Sequence, residues 1–210
     1  MSQISPNLIP LERSDDKKRS IVLGNTIKMV SNRGFINTDD IEFITQNFDQ
    51  RTEDDIYKVT FSKKMNKYKH LYIKFLNQKI TAMGKNSILV NFLQKYEDSK
   101  KILIVGGINN KIKSTIYSNY PDTEIFTVNE MMINLVDHIL VPQHILLSEE
   151  ESLEILQEYD ARKRDMPKIL DTDAVARYYN MPIGRICRII RPSETSGDTP
   201  YYRLVVKDHT

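Results

Sequence analysis

The sequence predicts two domains of different class. An α/β N-terminal domain spans 14–134, and a small α+β C-terminal domain with a mixed sheet spans 135–210. Three observations lead there. Strand and helix patterns alternate through the first two-thirds of the 210 residues. Charge then shifts: between Lys58 and Lys101 there are 11 Lys and no Arg against Glu97 and Asp98, whereas from Val141 onward 10 Lys and Arg face 12 Asp and Glu. Pro142 follows closely on the apolar run that ends at Leu140.

Composition bounds the rest. Forty per cent hydrophobic and 28% charged residues are ordinary for a globular protein with one or two modest cores. The single Cys187 excludes an internal disulfide and a cysteine-built zinc cluster, and it favours a reducing, intracellular compartment. The apolar runs, such as 102–105, are far shorter than the roughly 20 residues of a membrane helix, and no signal peptide is visible. A lysine-rich half beside a balanced half fits one domain near a polyanion and one held by protein contacts. Lysines on solvated faces are the plainer alternative.

Residues 1–13 hold Pro6 and Pro10 without periodicity and are expected to be a flexible tail. Ser14-Asp15-Asp16 supplies an N-cap and acidic first turn for a helix to about Arg33, with Val22, Thr26, Met29 and Val30 inward and Gly34 as its stop. Thr38-Asp39-Asp40 is expected to cap a second helix with Ile41, Ile44 and Phe48 inward, so neither aspartate pair reads as an acid–base dyad. Alternation predicts strands over 56–61 and 71–76, joined by a basic connection. A helix over 87–96 carries Ile88, Leu89, Phe92 and Leu93. A buried strand over 102–105 follows, then Gly106-Gly107 and a helix over 111–120. A strand over 125–127 and a helical turn over 129–133 complete the domain.

The second domain is expected to open with a strand over 135–140. Ser148 and Glu151 form a capping box for a helix with Leu153, Leu156 and Tyr159, and a strand spans 166–170. Asp173 then caps a short helix with Ala174, Val175 and Tyr178 on one face, ended by Asn180, Pro182 and Gly184. The closing strands are 185–191 and 201–206. Tyr202, Leu204 and Val206 form the natural core face of the last, while Cys187 and Ile189 oppose Ile186 and Ile190 on the first. Burial on both faces of that strand fits a central strand or a second chain packed against it.

Motifs for chemistry are few. Gly106-Gly107 lacks the spacing of a phosphate loop, His138 and His144 have no third ligand beside them, and Ser193-Glu194-Thr195 has no nucleophile-elbow pattern. No catalytic residue, metal site, cofactor, membrane contact or small-molecule ligand is therefore expected.

The C-terminal third carries a resemblance. V-A-R-Y-Y-N-M-P-I-G-R-I-C-R-I-I-R-P-S-E-T-S-G followed by Y-R-L-V resembles the closing signature of the fifth subunit shared by eukaryotic RNA polymerases I, II and III, related to the small H-type subunit of archaeal RNA polymerase. H-I-L-V-P-Q-H at 138–144, L-S-E-E-E at 147–151 and M-P-K-I-L at 166–170 fall in the family's order, and the match is dense over 135–206.

The resemblance implies a non-catalytic polymerase subunit. Its C-terminal domain would be an assembly domain docking on the largest subunit, and its N-terminal domain a jaw beside downstream double-stranded DNA, bound without sequence preference. The residues it assigns to assembly are Arg177, Tyr178, Gly184, Arg188, Arg191, Pro192, Ser193, Glu194 and Arg203. Where many members have Thr-Pro-Ser-Ala near DNA, this chain has Ile108-Asn109-Asn110-Lys111-Ile112, so Asn109, Asn110, Lys111 and Lys113 are the DNA-proximal candidates. The implied location is the nucleus, or a cytoplasmic viral factory and the virion if the subunit is virus-encoded. Two alternatives stay open. The jaw resembles restriction-type nucleases, but the position of their Glu-x-Lys holds Tyr72-Ile73-Lys74, without the carboxylate a metal needs. The other is a free-standing transcription adaptor.

Overall fold

Ser14 starts the first helix as its sequence requires. In the computed structural model of the chain, which describes residues 14–49, 55–61, 68–84, 87–193 and 197–208, its hydroxyl accepts from the Lys17 amide. The tail 1–13 lies outside the described residues, as does most of the basic connection over 62–67. The helix, α1, runs Asp15–Asn32, and Gly34 turns the chain at φ +75°. Its stripe of Val22, Thr26, Met29 and Val30 is buried.

Helix α2, Ile41–Asp49, is entered differently from the expectation. Thr38–Asp40 is a 3-10 turn that leads into it, and Asn37, in the N-cap position of that turn, makes no side-chain cap bond. Ile41 and Ile44 are half-buried, and the side chain of Phe48 lies outside the described set.

The first sheet follows: β1 (Ile56–Thr60), β2 (His70–Ile80), β3 (Lys100–Ile108) and β4 (Thr123–Thr127), in that spatial order. β1 is antiparallel to β2, and the other pairs are parallel. Helix α3 (Ile88–Lys95) links β2 to β3, helix α4 (Asn110–Asn119) links β3 to β4, and a short helix α5 (Val128–Met131) follows β4. On one face Leu103, Val105 and Ile125 pack with Leu89, Phe92 and Leu93 of α3 and Ile112 and Ile116 of α4. Ile88, expected in that stripe, is instead 61% exposed.

The other face is tied to α1. Tyr57, Ile73, Ile102 and Glu124 lie in one row across the four strands. Arg19 donates to the Tyr57 hydroxyl at one end (2.6 Å), and Arg33 grips Glu124 at the other. Lys101 is fully buried, its ammonium donating to the carbonyls of Tyr96, Glu97 and Ser99 at 2.7–2.9 Å. It thereby satisfies the backbone that leaves α3.

Gly106 and Gly107 are not a loop. They lie within β3, where the pairing with β2 shifts between Leu76 and Lys79, and a Cβ on Gly106 would stand 3.1 Å from the Gln78 carbonyl carbon. The glycine permits close backbone approach at a bulge.

The chain divides into two compact units, Met1–Ile133 and Asn134–Thr210. The second opens with a 3-10 turn at Leu135–Asp137, which corrects the strand expected over 135–140. Ile139 and Leu140 are 94% and 81% exposed, and the His138 imidazole accepts from the Leu140 amide at 3.2 Å. Extended pairing begins only after Pro142, in β5 (Gln143–Leu146).

Helix α6 (Glu149–Glu158) has the expected capping box. The Glu151 amide donates to Ser148 Oγ at 3.1 Å, and the Ser148 amide donates to the Glu151 carboxylate at 2.7 Å. Its inward side is Ser152, Ile155 and Leu156, whereas Leu153 and Tyr159 are exposed. Strand β6 (Lys168–Leu170), helix α7 (Ala174–Tyr178), strand β7 (Ile186–Ser193) and strand β8 (Gly197–Val206) complete the unit. Asp173 caps α7 by accepting from the Val175 and Ala176 amides. The buried side of α7 is Val175, Ala176 and Tyr178, while Ala174 faces solvent. The second sheet is also mixed, ordered β5-β7-β8-β6. β5 and β8 are antiparallel to β7, and β6 is parallel to β8.

Candidate assembly surface

β7 lies between β5 and β8, so its alternation distributes the arginines. Cys187, Ile189 and Arg191 share one face, and Ile186, Arg188 and Ile190 share the other. The register adds His144 and Leu146 from β5 and Tyr201, Arg203 and Val205 from β8 to the first face. Ile145, Tyr202 and Leu204 join the second.

The core under α7 belongs to the first face: Ile169, Ala176, Met181, Cys187, Ile189 and Val205. Val205 is fully buried while Tyr202, Leu204 and Val206 are half-buried, so the expected core face of the last strand is reversed. Burial pushes the Cys187 thiol up to about 11, with Arg203 opposing and Asp173 assisting.

Beyond this core the first face turns polar. The Arg191 guanidinium lies 5.3 Å from the Tyr201 ring centroid, a cation–π distance that holds an exposed arginine over an aromatic platform. Arg203 donates to the Lys168 carbonyl at 3.5 Å. His144 pairs with Ile189 in the register and shares a 2.7 Å hydrogen bond with the Pro142 carbonyl. Burial holds its imidazole below the usual range. The Pro142 bond and Asp173 oppose that shift, and Arg191 and Arg203 add to it.

Arg188 stands apart on the second face, across from Tyr202 and near Glu151. Its Nε is buried and has no hydrogen-bond partner among the described residues. The remaining assembly candidates are scattered along the same signature. Arg177 is half-buried in the last turn of α7, and Tyr178 is buried edge-to-face against Tyr179, 5.1 Å between centroids. Gly184 adopts φ +84° and donates to the Val205 carbonyl at 2.9 Å, a turn that leads directly into β7. Pro192 is exposed opposite Asp198, and Ser193 pairs with Gly197. Glu194 lies outside the described residues.

The fold thus groups Arg191 with Arg203, Tyr201 and His144, and separates them from Arg188. Sequence reasoning missed Tyr201 and His144. The period of two along β7 signals the separation, but the strand register that adds the two missed residues does not appear in the sequence.

The DNA-proximal candidates form the start of α4. Asn109 is its N-cap, accepting from the Lys111 amide at 3.1 Å, and Asn110 and Lys111 are exposed. Lys113 is half-buried, its ammonium 5.9 Å from the Tyr117 ring centroid. At the nuclease-like tripeptide, the Tyr72 ring stacks on Tyr96 at 3.9 Å between centroids, and Lys74 is buried. Among the described residues, no group of three His, Cys, Asp or Glu side chains could hold a metal ion, and no helix is long and apolar enough to cross a membrane.

Comparison with known proteins follows these boundaries. Residues 133–205 match the family model described as RNA polymerase Rpb5, C-terminal domain. The chain is 32% identical to DNA-directed RNA polymerase subunit 5 of Acanthamoeba polyphaga mimivirus, over 97% of this chain and 100% of the relative. It is 46% identical to the subunit rpabc1 of RNA polymerases I, II and III of Dictyostelium discoideum, over 40% of this chain and 42% of that one. With the corresponding RPABC1 subunit of Caenorhabditis elegans it shares 38% identity, over 54% and 56% of the two chains. The stretch that builds the arginine-bearing sheet is thus the stretch the family model covers, inside a likeness that runs almost end to end: the chain belongs to the RNA polymerase subunit 5 (Rpb5) family.

Proposed function

We propose that this chain is a non-catalytic subunit of a multisubunit DNA-directed RNA polymerase. Its unit over 134–210 docks on the largest subunit, and its lysine-rich N-terminal unit forms the lower jaw beside downstream DNA. The observation that carries the reading is the near full-length likeness to a polymerase subunit 5, with the family model centred on the β5-β7-β8-β6 sheet.

The chemistry of that sheet supports an assembly role. A guanidinium keeps its charge at an interface and binds carboxylates two-pronged, which suits Arg191 and Arg203. The buried Arg188 Nε is costly to leave unmet, and a partner carboxylate or carbonyl would satisfy it. Exposed Ile139 and Leu140 add apolar area of the kind partner subunits cover. At the other unit, Lys111 and Lys113 would meet phosphates by charge alone, which positions DNA without reading its sequence.

The full-length match to a viral subunit favours a polymerase of a large DNA virus, and with it a cytoplasmic viral factory and the virion over the nucleus. Affinity purification of the native tagged chain tests the reading. The two largest polymerase subunits should accompany it at equal stoichiometry, and recovery without them would favour a free-standing adaptor.

A further inference from the structure

The sheet of the C-terminal unit carries a hydrogen-bond acceptor that the signature's arginines do not supply. His144, Ile189 and Tyr201 stand side by side across β5, β7 and β8. Arg191 lies two residues further along β7, on one side of that row. Arg203 lies two residues further along β8, and because the strands are antiparallel it falls on the other side. Two guanidinium donors thus bracket the row that holds one imidazole.

That imidazole has a fixed tautomer. Nδ1 lies 2.7 Å from the Pro142 carbonyl oxygen, and a carbonyl only accepts, so the proton of the neutral ring is on Nδ1. Nε2 keeps its lone pair. It makes no hydrogen bond among the described residues, and it is not one of the buried polar atoms left unmet. The residue is half-buried on an outer strand of the sheet. The charged groups that face the ring are Arg191 from β7, Arg203 from β8 and Asp173 from the cap of α7. Burial and the two arginines disfavour the imidazolium, against the Pro142 bond and Asp173, so the neutral ring extends below its ordinary pH range.

We propose that Nε2 of His144 accepts a hydrogen bond from the docked polymerase subunit, which presents a neutral hydroxyl or amide donor there and carboxylates to Arg191 and Arg203. The inference rests on the assembly role proposed for this sheet and names the partner chemistry that the sheet selects. A cationic donor would be repelled by the two arginines, and a carboxylate would find no proton on Nε2. Protonation of His144 replaces the acceptor with a donor. Binding should therefore be flat above the midpoint of the free ring and fall below it.

The test is the affinity of the full chain for the largest polymerase subunit from about pH 8 down to about pH 5, for wild type, His144→Gln and His144→Ala. A glutamine carbonyl can stand near the place of Nε2 and does not titrate. At neutral pH His144→Ala should bind about tenfold more weakly, because the partner's donor is left unmet, and His144→Gln should recover most of the loss. Nitrogen NMR of the free chain, following the His144 ring, should show the proton on Nδ1 and gives the midpoint. About one pH unit below it, wild type should have lost about tenfold relative to His144→Gln. Equal affinity of wild type and His144→Ala, no recovery in His144→Gln, identical pH profiles for wild type and His144→Gln, or a proton on Nε2 would each overturn the proposal and leave the assembly role standing. Absence of binding by wild type at every pH would overturn both.

Discussion

Arg33 and Glu124 form a buried two-pronged ion pair, Nη1 to Oε1 at 2.9 Å and Nη2 to Oε2 at 2.8 Å, that joins the end of α1 to the edge strand β4. Lys100 adds a third charge 3.2 Å from Oε1. Burial alone would raise the Glu124 carboxyl, and the two cations together outweigh it, so the group sits below its usual 4.5. A depressed carboxyl contributes stability above its unfolded value, and that contribution fades as pH falls through the folded one.

Glu124→Gln should therefore cost about 3–5 kcal/mol at pH 7, because it strands Arg33 in a buried site. Urea midpoints at pH 7 and at pH 3 measure it. The gap between wild type and variant should narrow on acidification, and an equal gap at both pH values would contradict this account.

Lys101→Met should destabilise the N-terminal unit by at least about 2 kcal/mol, since three carbonyls lose a charged donor inside the protein. Lys111→Met, on the exposed turn of α4, should change stability by less than about 0.5 kcal/mol. Thermal denaturation of the two variants compares a built-in lysine with a surface one.

Gly106→Ala should loosen the β2–β3 pairing by about 1–3 kcal/mol, because the new methyl meets Gln78 backbone and has no flexible side chain to displace. Faster amide exchange across 76–80 and 105–108 is the expected signature.

Cys187 should resist thiol reagents at pH 8 in the native chain and react fully in urea. It is completely buried, and its thiol is shifted up to about 11. Labelling of the folded protein at the rate of a free thiol would show that the core beneath α7 opens readily.

Lys111→Ala with Lys113→Ala should lower the salt slope of DNA binding by the assembled polymerase by up to about 2, equally for unrelated sequences. A sequence-dependent loss would place base contacts where only phosphate contacts are expected.

Local chemistry was the most legible part of the sequence. The cap at Asp173 and the Ser148–Glu151 box depend on residues within four positions of each other, and both form. Features that depend on distant partners were less legible. Apolar residues at 135–140 read as a strand, but no strand among the described residues pairs with them, and Ile139 and Leu140 remain exposed. Val205 rather than Leu204 is buried because Ile169 and Cys187 arrive on its side from other strands. Gly106-Gly107 looked like punctuation because the approach of Gln78 is a tertiary fact. At the arginines, the motif was visible as a string. Its division into an Arg191–Arg203 face and an Arg188 face depends on which strands flank β7.

That division makes the central claim testable in a single pull-down. The tagged full chain is mixed with the largest polymerase subunit, and retention is compared for wild type, Arg191→Ala/Arg203→Ala and Lys111→Ala/Lys113→Ala. Truncating interface charges should cost about 2–5 kcal/mol, so the arginine variant should lose most of the largest subunit while the lysine variant retains it like wild type. Loss of the subunit by the lysine variant, with full retention by the arginine variant, would contradict the assignment of assembly to the C-terminal sheet.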